Sequence, residues 1–465
     1  MTYFAYQLQL SAFDRMRLWL NSCVMILDFT ISNFRSIKEA QTISFEATND
    51  THLEDYYVVH KGNYRVLKIA TILGANASGK SNVIKAFNMI HDLILEPCKN
   101  KTSIIEYDKF ALDSNFAAID SVMIINFICG EQKYYYEVHF NNKAVTYELL
   151  KKHPFGNLRE HKVFERTTDI VSEVSYIKWG DNYRSASNSR DLGANLIHNR
   201  TVFGAFQNTN VDIPWMKEIV DWVDSYILPP VLPSEQHLYE YVTDKINRRE
   251  IDKNLVALQL KKADVGVSDF LIEKETSNIP KEVINLILTA DDIPEEVKNK
   301  IKIDPTTEDF KVRLIHNGLQ GGIPFEFKEE SGGTQRYYEL TGVLMMLVKE
   351  PHFVAIDELE CRLHPDLYEH YIATYLNNAK ESQIVFTTHM REFLGDKDMF
   401  RDDSVWLAEK SDEGATDLYS LIDFGSDVLR DSTSRYNVYR AGRLGAVPRL
   451  QDTYIDTINT CTDNG

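Results

Sequence analysis

Hydrophobic and polar positions repeat along this chain with two periods, and the switches between them mark its elements. Met25-Ile26-Leu27-Asp28-Phe29-Thr30-Ile31 alternates and predicts a strand, and Gln41-Thr42-Ile43-Ser44-Phe45 predicts a second. Together they make an N-terminal antiparallel β-layer; residues 1–24 read as an extension outside it, with Met25 as an alternative start. Val66 to Leu73 is β-rich and largely apolar, the pattern of a strand buried on both faces in a parallel sheet. Val83, Phe87, Ile90 and Ile94 follow at helical spacing until Pro97 stops them. Between Val122 and Leu150 an apolar run (Met123 to Ile128) and an alternating run (Tyr134 to Phe140) flank Gly130-Glu131-Gln132-Lys133, with Val145-Thr146-Tyr147 beyond. That is an antiparallel meander.

From about Asp169 to Ile315 the pattern turns irregular and mostly helical, with apolar spacing from Trp215 to Ile227 and from Val283 to Leu288. Pro229-Pro230, Pro280 and Pro294 break it. No heptad is sustained, so this stretch is no long coiled-coil arm. Helical spacing returns at Leu340, Val343, Leu344 and Leu347, and two buried-strand runs follow, Phe353 to Ile356 and Ile384 to Thr388. The expected architecture is α/β: lobes at 25–168 and 316–465, separated by a mostly helical insertion at 169–315.

Composition bounds the function. A chain of 465 residues with 43% hydrophobic content can bury more than one core. A formal charge of -18 repels nucleic acid unless basic residues cluster, and Arg248-Arg249 and Lys261-Lys262 read as solvated helix faces. The apolar run Val343 to Val348 falls far short of a membrane span, and Asp14, Arg15 and Arg17 break up any signal-peptide core, so a cytoplasmic protein is expected. Five scattered cysteines without a C-x-x-C pair imply neither disulfides nor zinc.

The chemistry concentrates in four places. Gly74-Ala75-Asn76-Ala77-Ser78-Gly79-Lys80-Ser81 is a complete G-x-x-x-x-G-K-[ST] loop between a strand and a helix. Such a loop converges backbone N–H groups on phosphate oxygens, the lysine reaching the β- and γ-phosphates and the serine hydroxyl binding Mg²⁺. Ser331-Gly332-Gly333-Thr334-Gln335 opens a helix, which is an anion site. Phe353 to Ile356 ends in Asp357, suited to the Mg²⁺ shell, and Glu358, suited to act as general base on water. Ile384 to Thr388 ends in His389, a candidate γ-phosphate contact.

In this chain order the four motifs resemble the ATP-binding-cassette class of ATPases, specifically its SMC, RecF and OLD-like branch of AAA-type proteins. Gly74 to Asn82 is similar to that branch's form of the loop, which adds Asn76, Ser78 and Asn82 to the candidate nucleotide contacts. Leu363-His364-Pro365 resembles its D-loop, with histidine where SMC proteins usually carry aspartate. Asn33-Phe34-Arg35-Ser36 resembles its opening strand and makes Arg35 a further nucleotide-binding candidate. The resemblance implies an ABC-type ATPase head, with ATP and Mg²⁺ as ligands. It also implies a homodimer in which Ser331, Gly332, Gly333 and Gln335 of one copy complete the site of the other.

Within the branch, a transporter subunit is disfavoured because Lys80 and Ser331 lie 251 positions apart. A RecF- or SMC-like repair ATPase would need a basic groove. The appended Toprim nuclease of OLD-like proteins is expected to be absent, since 76 residues follow His389, and Asp396-Lys397-Asp398 reads as a loop. The segment Tyr436 to Pro448 resembles the ending of stand-alone ATPases of bacterial abortive-infection and anti-phage systems. That resemblance implies an ATPase that senses infection or controls a separately encoded nuclease or toxin.

Overall fold

The computed structural model describes residues 24–453 apart from 156–158, 184–185, 234–236, 291–292, 294, 320, 426–427 and 431–432. The extension expected at 1–24 therefore lies outside the described residues except for Val24. That residue is buried and opens β1 (Val24–Ser32), which pairs antiparallel with β2 (Gln41–Ser44).

The single strand expected from Val66 to Leu73 is split. A hairpin of β3 (Val58–Lys61) and β4 (Tyr64–Leu67) ends before Lys68, and β5 (Ile69–Gly74) begins after it, every residue buried. The reason is chemical: the Lys68 ammonium is buried and donates to the carbonyls of Leu376 (2.9 Å) and Ala379 (2.8 Å). Burial pulls its amine down to about 8. Helix α1 (Lys80–Leu95) then returns across the sheet.

The meander is longer than its sequence pattern. Strands β6 (Ser121–Cys129), β7 (Gln132–Phe140), β8 (Val145–Pro154), β9 (His161–Asp169) and β10 (Val174–Trp179) join the first two in one antiparallel sheet of order β10-β9-β8-β7-β6-β1-β2. Strand β10 falls inside the stretch expected to be an insertion. Beyond it come α2 (Val202–Gln207), α3 (Pro214–Tyr226), α4 (His237–Asn247) and α5 (Lys253–Lys262).

Two long strands stand where helix was expected. β11 (Val267–Asn278) and β12 (Thr306–Gly318) pair along their whole length, with α6 (Lys281–Thr289) and α7 (Glu295–Ile303) between them, and β13 (Gly321–Glu326) adds an edge. The outer half of β11 is solvated, so it lacks the alternation that marks a half-buried strand. Cross-strand pairs Lys311–Glu275 (2.6 Å) and Arg313–Glu273 (3.3 Å) replace an apolar face there. At the base, Phe270 and Leu314 are buried.

The second lobe opens with α8 (Gly332–Lys349) and β14 (Phe353–Ile356), followed by α9 (Pro365–Asn378), β15 (Gln383–Thr388), β16 (Val405–Lys410) and β17 (Thr416–Ser420). The closing helix α10 (Arg435–Arg440) leads into a turn tied to β17, where the Tyr419 hydroxyl donates to the Leu444 carbonyl at 2.9 Å. Gly342 in the middle of α8 admits α4, since a Cβ there would lie 2.2 Å from Val242.

A second sheet runs β14-β15-β5-β16-β17, parallel except for β17. Residues 227–231 lie alongside β14, bridged in parallel at Ile227 to Phe353 and at Val231 to Ile356. Pro229 and Pro230 between those bridges have no N–H to donate, which is why no regular ladder forms. Helix α1 is clamped between the two sheets: the Phe87 ring lies 4.5 Å from Phe29 of β1 and 4.8 Å from Phe353 of β14. Buried Gln383 ties the layers by bonding both the N–H and the carbonyl of Ile26.

Candidate phosphate site

The parallel sheet explains the site. Because β15 lies between β14 and β5, the ends of all three strands meet, and with them Asp357, His389 and the loop from Gly74. Crevices at the carboxyl ends of parallel strands are where such sheets bind ligands.

The loop is built as a cradle. Gly79 sits at φ 101°, and a Cβ there would lie 1.9 Å from Thr416 Oγ1, so glycine is required both by conformation and by space. Thr416 Oγ1 donates to the Ser78 carbonyl at 2.8 Å and is 2.7 Å from Ser36 Oγ. Asn82 Nδ2 donates to that same Ser36 oxygen at 2.7 Å. Asn82 thus fastens the start of α1 to the turn at Asn33–Ser36. Asn33 holds that turn at φ 51°, with its side-chain amide donating to the carbonyls of Phe116 and Ile119. Asn76 is exposed at the loop's crest.

Lys80 is buried, and its ammonium donates to the carbonyls of Gly74 (3.0 Å) and Ala75 (2.9 Å). Desolvation pulls its amine down to about 8, opposed by the nearby charges of Asp357, Glu358 and Glu360. The Ser78 hydroxyl is buried without a partner. A buried cation resting on neutral carbonyls beside an unpaired hydroxyl fits a phosphate group, which would satisfy both.

The acids are held by Thr387. Its hydroxyl donates to Asp357 Oδ1 at 2.6 Å and accepts the N–H of Glu358 at 2.8 Å. Glu358 occupies φ 48°, a left-handed conformation that costs a non-glycine residue about 1–2 kcal/mol. Its Oε1 lies 3.6 Å from His389 Nε2, and His389 Nδ1 lies 3.4 Å from Lys80 Nζ. Asp357 follows the end of β14, and Ser81 follows Lys80 in the first turn of α1. Among the described residues no cluster of three His, Cys, Asp or Glu side chains could hold a metal ion.

Thr387→Val keeps the shape and removes both hydrogen bonds. If Asp357 holds a divalent cation in an ATP-hydrolysing site, turnover should fall about 10- to 100-fold with ATP affinity little changed. Titrating ATP by calorimetry beside a phosphate-release assay checks this; unchanged turnover would remove Thr387 from the site.

The other sequence candidates bond elsewhere than to Lys80, Asp357, Glu358 or His389. Ser331 caps α8, its Oγ accepting the Thr334 N–H at 3.1 Å, and both Ser331 and Gly332 are exposed. Gly332 and Gly333 lie against Arg362. Gln335 is occupied, its amide donating to the carbonyls of Phe327 (2.8 Å) and Glu330 (3.1 Å). Arg35 pairs with Asp108 at 3.1 Å and walls a cavity of about 510 Å³ with Lys85 and Asn88. Its neighbour Ser36, not Arg35, touches the phosphate loop through Asn82. Thr416 and Glu360 belong to no spaced motif, and Ser36 and Thr387, though inside recognised segments, carry no sequence signal for their contacts.

The family described as "AAA domain, putative AbiEii toxin, Type IV TA system" matches residues 69–394, a span that takes in the loop, both acids and His389. The chain belongs to this AAA-domain family. No curated protein matches it significantly. Among solved structures, an SMC head bound to the C-winged helix domain of ScpA is 12% identical with a TM-score of 0.37, covering 85% of this chain and 97% of its own. The SMC head domain from Thermotoga maritima is 13% identical with a TM-score of 0.33, covering 85% and 98%. A Smc head with an extended coiled coil, bound to the C-terminal domain of ScpA and derived from Pyrococcus furiosus, is 13% identical with a TM-score of 0.34, covering 86% and 98%. Overlap at that level transfers no function to an AAA-domain chain. No helix among the described residues is long and apolar enough to cross a membrane.

Proposed function

We propose that this AAA-domain protein binds ATP at the Gly74–Asn82 loop and hydrolyses it. The observation that carries this reading is the convergence of Lys80, His389 and Glu358, spaced at 3.4 and 3.6 Å, at the ends of adjacent parallel strands. Loop N–H groups and the positive end of α1 bind the phosphates, and Lys80 exchanges two neutral carbonyls for anionic oxygens. Glu358 takes a proton from the attacking water, and His389 donates a hydrogen bond towards the γ-phosphate. Mg²⁺ held by Ser81 and Asp357 would supply charge neutralisation between the β- and γ-phosphates. The direct test is Mg²⁺-dependent phosphate release by the purified protein; absence of turnover at saturating ATP would refute the hydrolytic half.

We also propose that two copies sandwich two ATP molecules. The hydrogen bonds of Ser331 stay within α8, so this exposed helix start is available to a phosphate on another copy. Ser331→Arg should leave ATP binding intact and abolish turnover, and mixing it with Lys80→Ala protein should restore part of the activity. Wild-type turnover by Ser331→Arg would refute the shared site. The resemblance of the C-terminal segment supports an output through a separately encoded nuclease or toxin in phage defence, while the family description names a putative toxin of a type IV TA system. Co-purification with the product of a neighbouring gene tests that output. Tight, salt-steep duplex binding would favour the repair reading instead, against a formal charge of -18.

A further inference from the structure

The turn after Asp357-Glu358 carries a third acid, Glu360, which no motif assigns. Its Oε1 accepts the backbone N–H of His389 at 2.6 Å. A bond to an ionised acceptor is about twice as strong as a neutral one. Its Oε2 is shielded from solvent and has no partner. A buried oxygen without a partner is unfavourable, so this carboxylate is kept in place at a cost to stability.

The turn is wound to put it there. Leu359 N–H bonds to the Thr387 carbonyl at 3.1 Å, Cys361 N–H to the Glu358 carbonyl at 2.9 Å, and Leu363 N–H to the Glu360 carbonyl at 2.8 Å. Glu358 (φ 48°) and Arg362 (φ 64°) take left-handed conformations on either side of Glu360. His389 leaves β15 at this point, so the bond to its N–H governs where its ring points. The ring lies 3.4 Å from Lys80, at the outer limit of hydrogen bonding, and 3.6 Å from Glu358, just beyond it, so a small rotation makes or breaks either contact.

The geometry points to Glu360 as a positioning residue: it anchors the backbone of His389 and so holds the imidazole between Lys80 and Glu358. It transfers no proton in this role. The inference rests on the hydrolytic reading above, and its test is arranged to separate the two.

Glu360→Ala removes the acceptor, Glu360→Asp keeps the charge but shortens the reach, and Glu360→Gln keeps an acceptor oxygen at full reach. We expect kcat to fall about 10- to 100-fold in the first two with the KM for ATP little changed, and Glu360→Gln to recover most of it. In ATP-free protein with labelled histidine, the His389 ring resonances, identified by their loss in His389→Ala, should move in Glu360→Ala and Glu360→Asp and hold in Glu360→Gln. Unchanged kcat and unchanged resonances would overturn the assignment. So would a Glu360→Gln protein as slow as Glu360→Ala, or a KM that rises in step with the loss of kcat. Should Glu360→Ala not fold, the Asp and Gln variants decide by the same criteria. If the unsubstituted protein turns over no ATP, hydrolysis fails on its own account, and the resonances alone decide whether Glu360 sets the ring.

Discussion

Lys80→Ala is expected to weaken ATP binding at least about 100-fold, the loss of two charge-assisted hydrogen bonds worth about 1.5–3 kcal/mol each. The ammonium already occupies the desolvated floor of the loop, on the carbonyls of Gly74 and Ala75. To meet phosphate it exchanges these two neutral acceptors for anionic ones, and the gain in affinity is the difference between the two sets of hydrogen bonds. Alanine leaves those carbonyls facing the anion without a cation. Calorimetry measures the affinity, and melting gives a second reading, since ATP should raise the transition of the wild type and not of the variant. An unchanged dissociation constant would remove Lys80 from the nucleotide site.

Glu358→Gln should do the opposite to binding and more to turnover. The amide is nearly isosteric and keeps the backbone N–H bond to Thr387, so the strained φ of 48° persists and ATP still binds. It cannot accept the proton of the attacking water, which should lower kcat about 10²- to 10⁴-fold. With hydrolysis stalled, the ATP-bound dimer should accumulate, visible as doubled mass by light scattering with ATP and not with ADP. A variant that hydrolyses ATP at the wild-type rate would sink the assignment of Glu358 as base. Loss of turnover without dimerisation would keep the base and refute the shared site.

The candidate site was largely legible in sequence because each of its motifs is local. A glycine loop between strand and helix, or an apolar run ending in Asp357-Glu358, carries its chemistry within about eight residues. Two errors show where locality ends. Lys68 reads as one polar position inside an apolar run, yet it ends β4 because it caps carbonyls of α9 more than 300 positions away, as in its bond to Ala379. The β11–β12 strands escaped because a solvated ribbon stabilised by cross-strand ion pairs has no apolar period to read.

Hydrophobic period and turn chemistry therefore set which groups this protein carries: the loop, the acids, the histidine and the capped α8. They also placed those groups at strand ends and helix starts, since both depend on neighbours a few residues apart. The spacing of Lys80, His389 and Glu358 came only with the order β14-β15-β5, which side-chain period cannot express. The same holds for Ser36 and Thr416 under the loop and for Glu360 behind His389. Those contacts join positions tens to hundreds of residues apart, and what brings them together is burial of the two sheets against α1, a property of the whole chain.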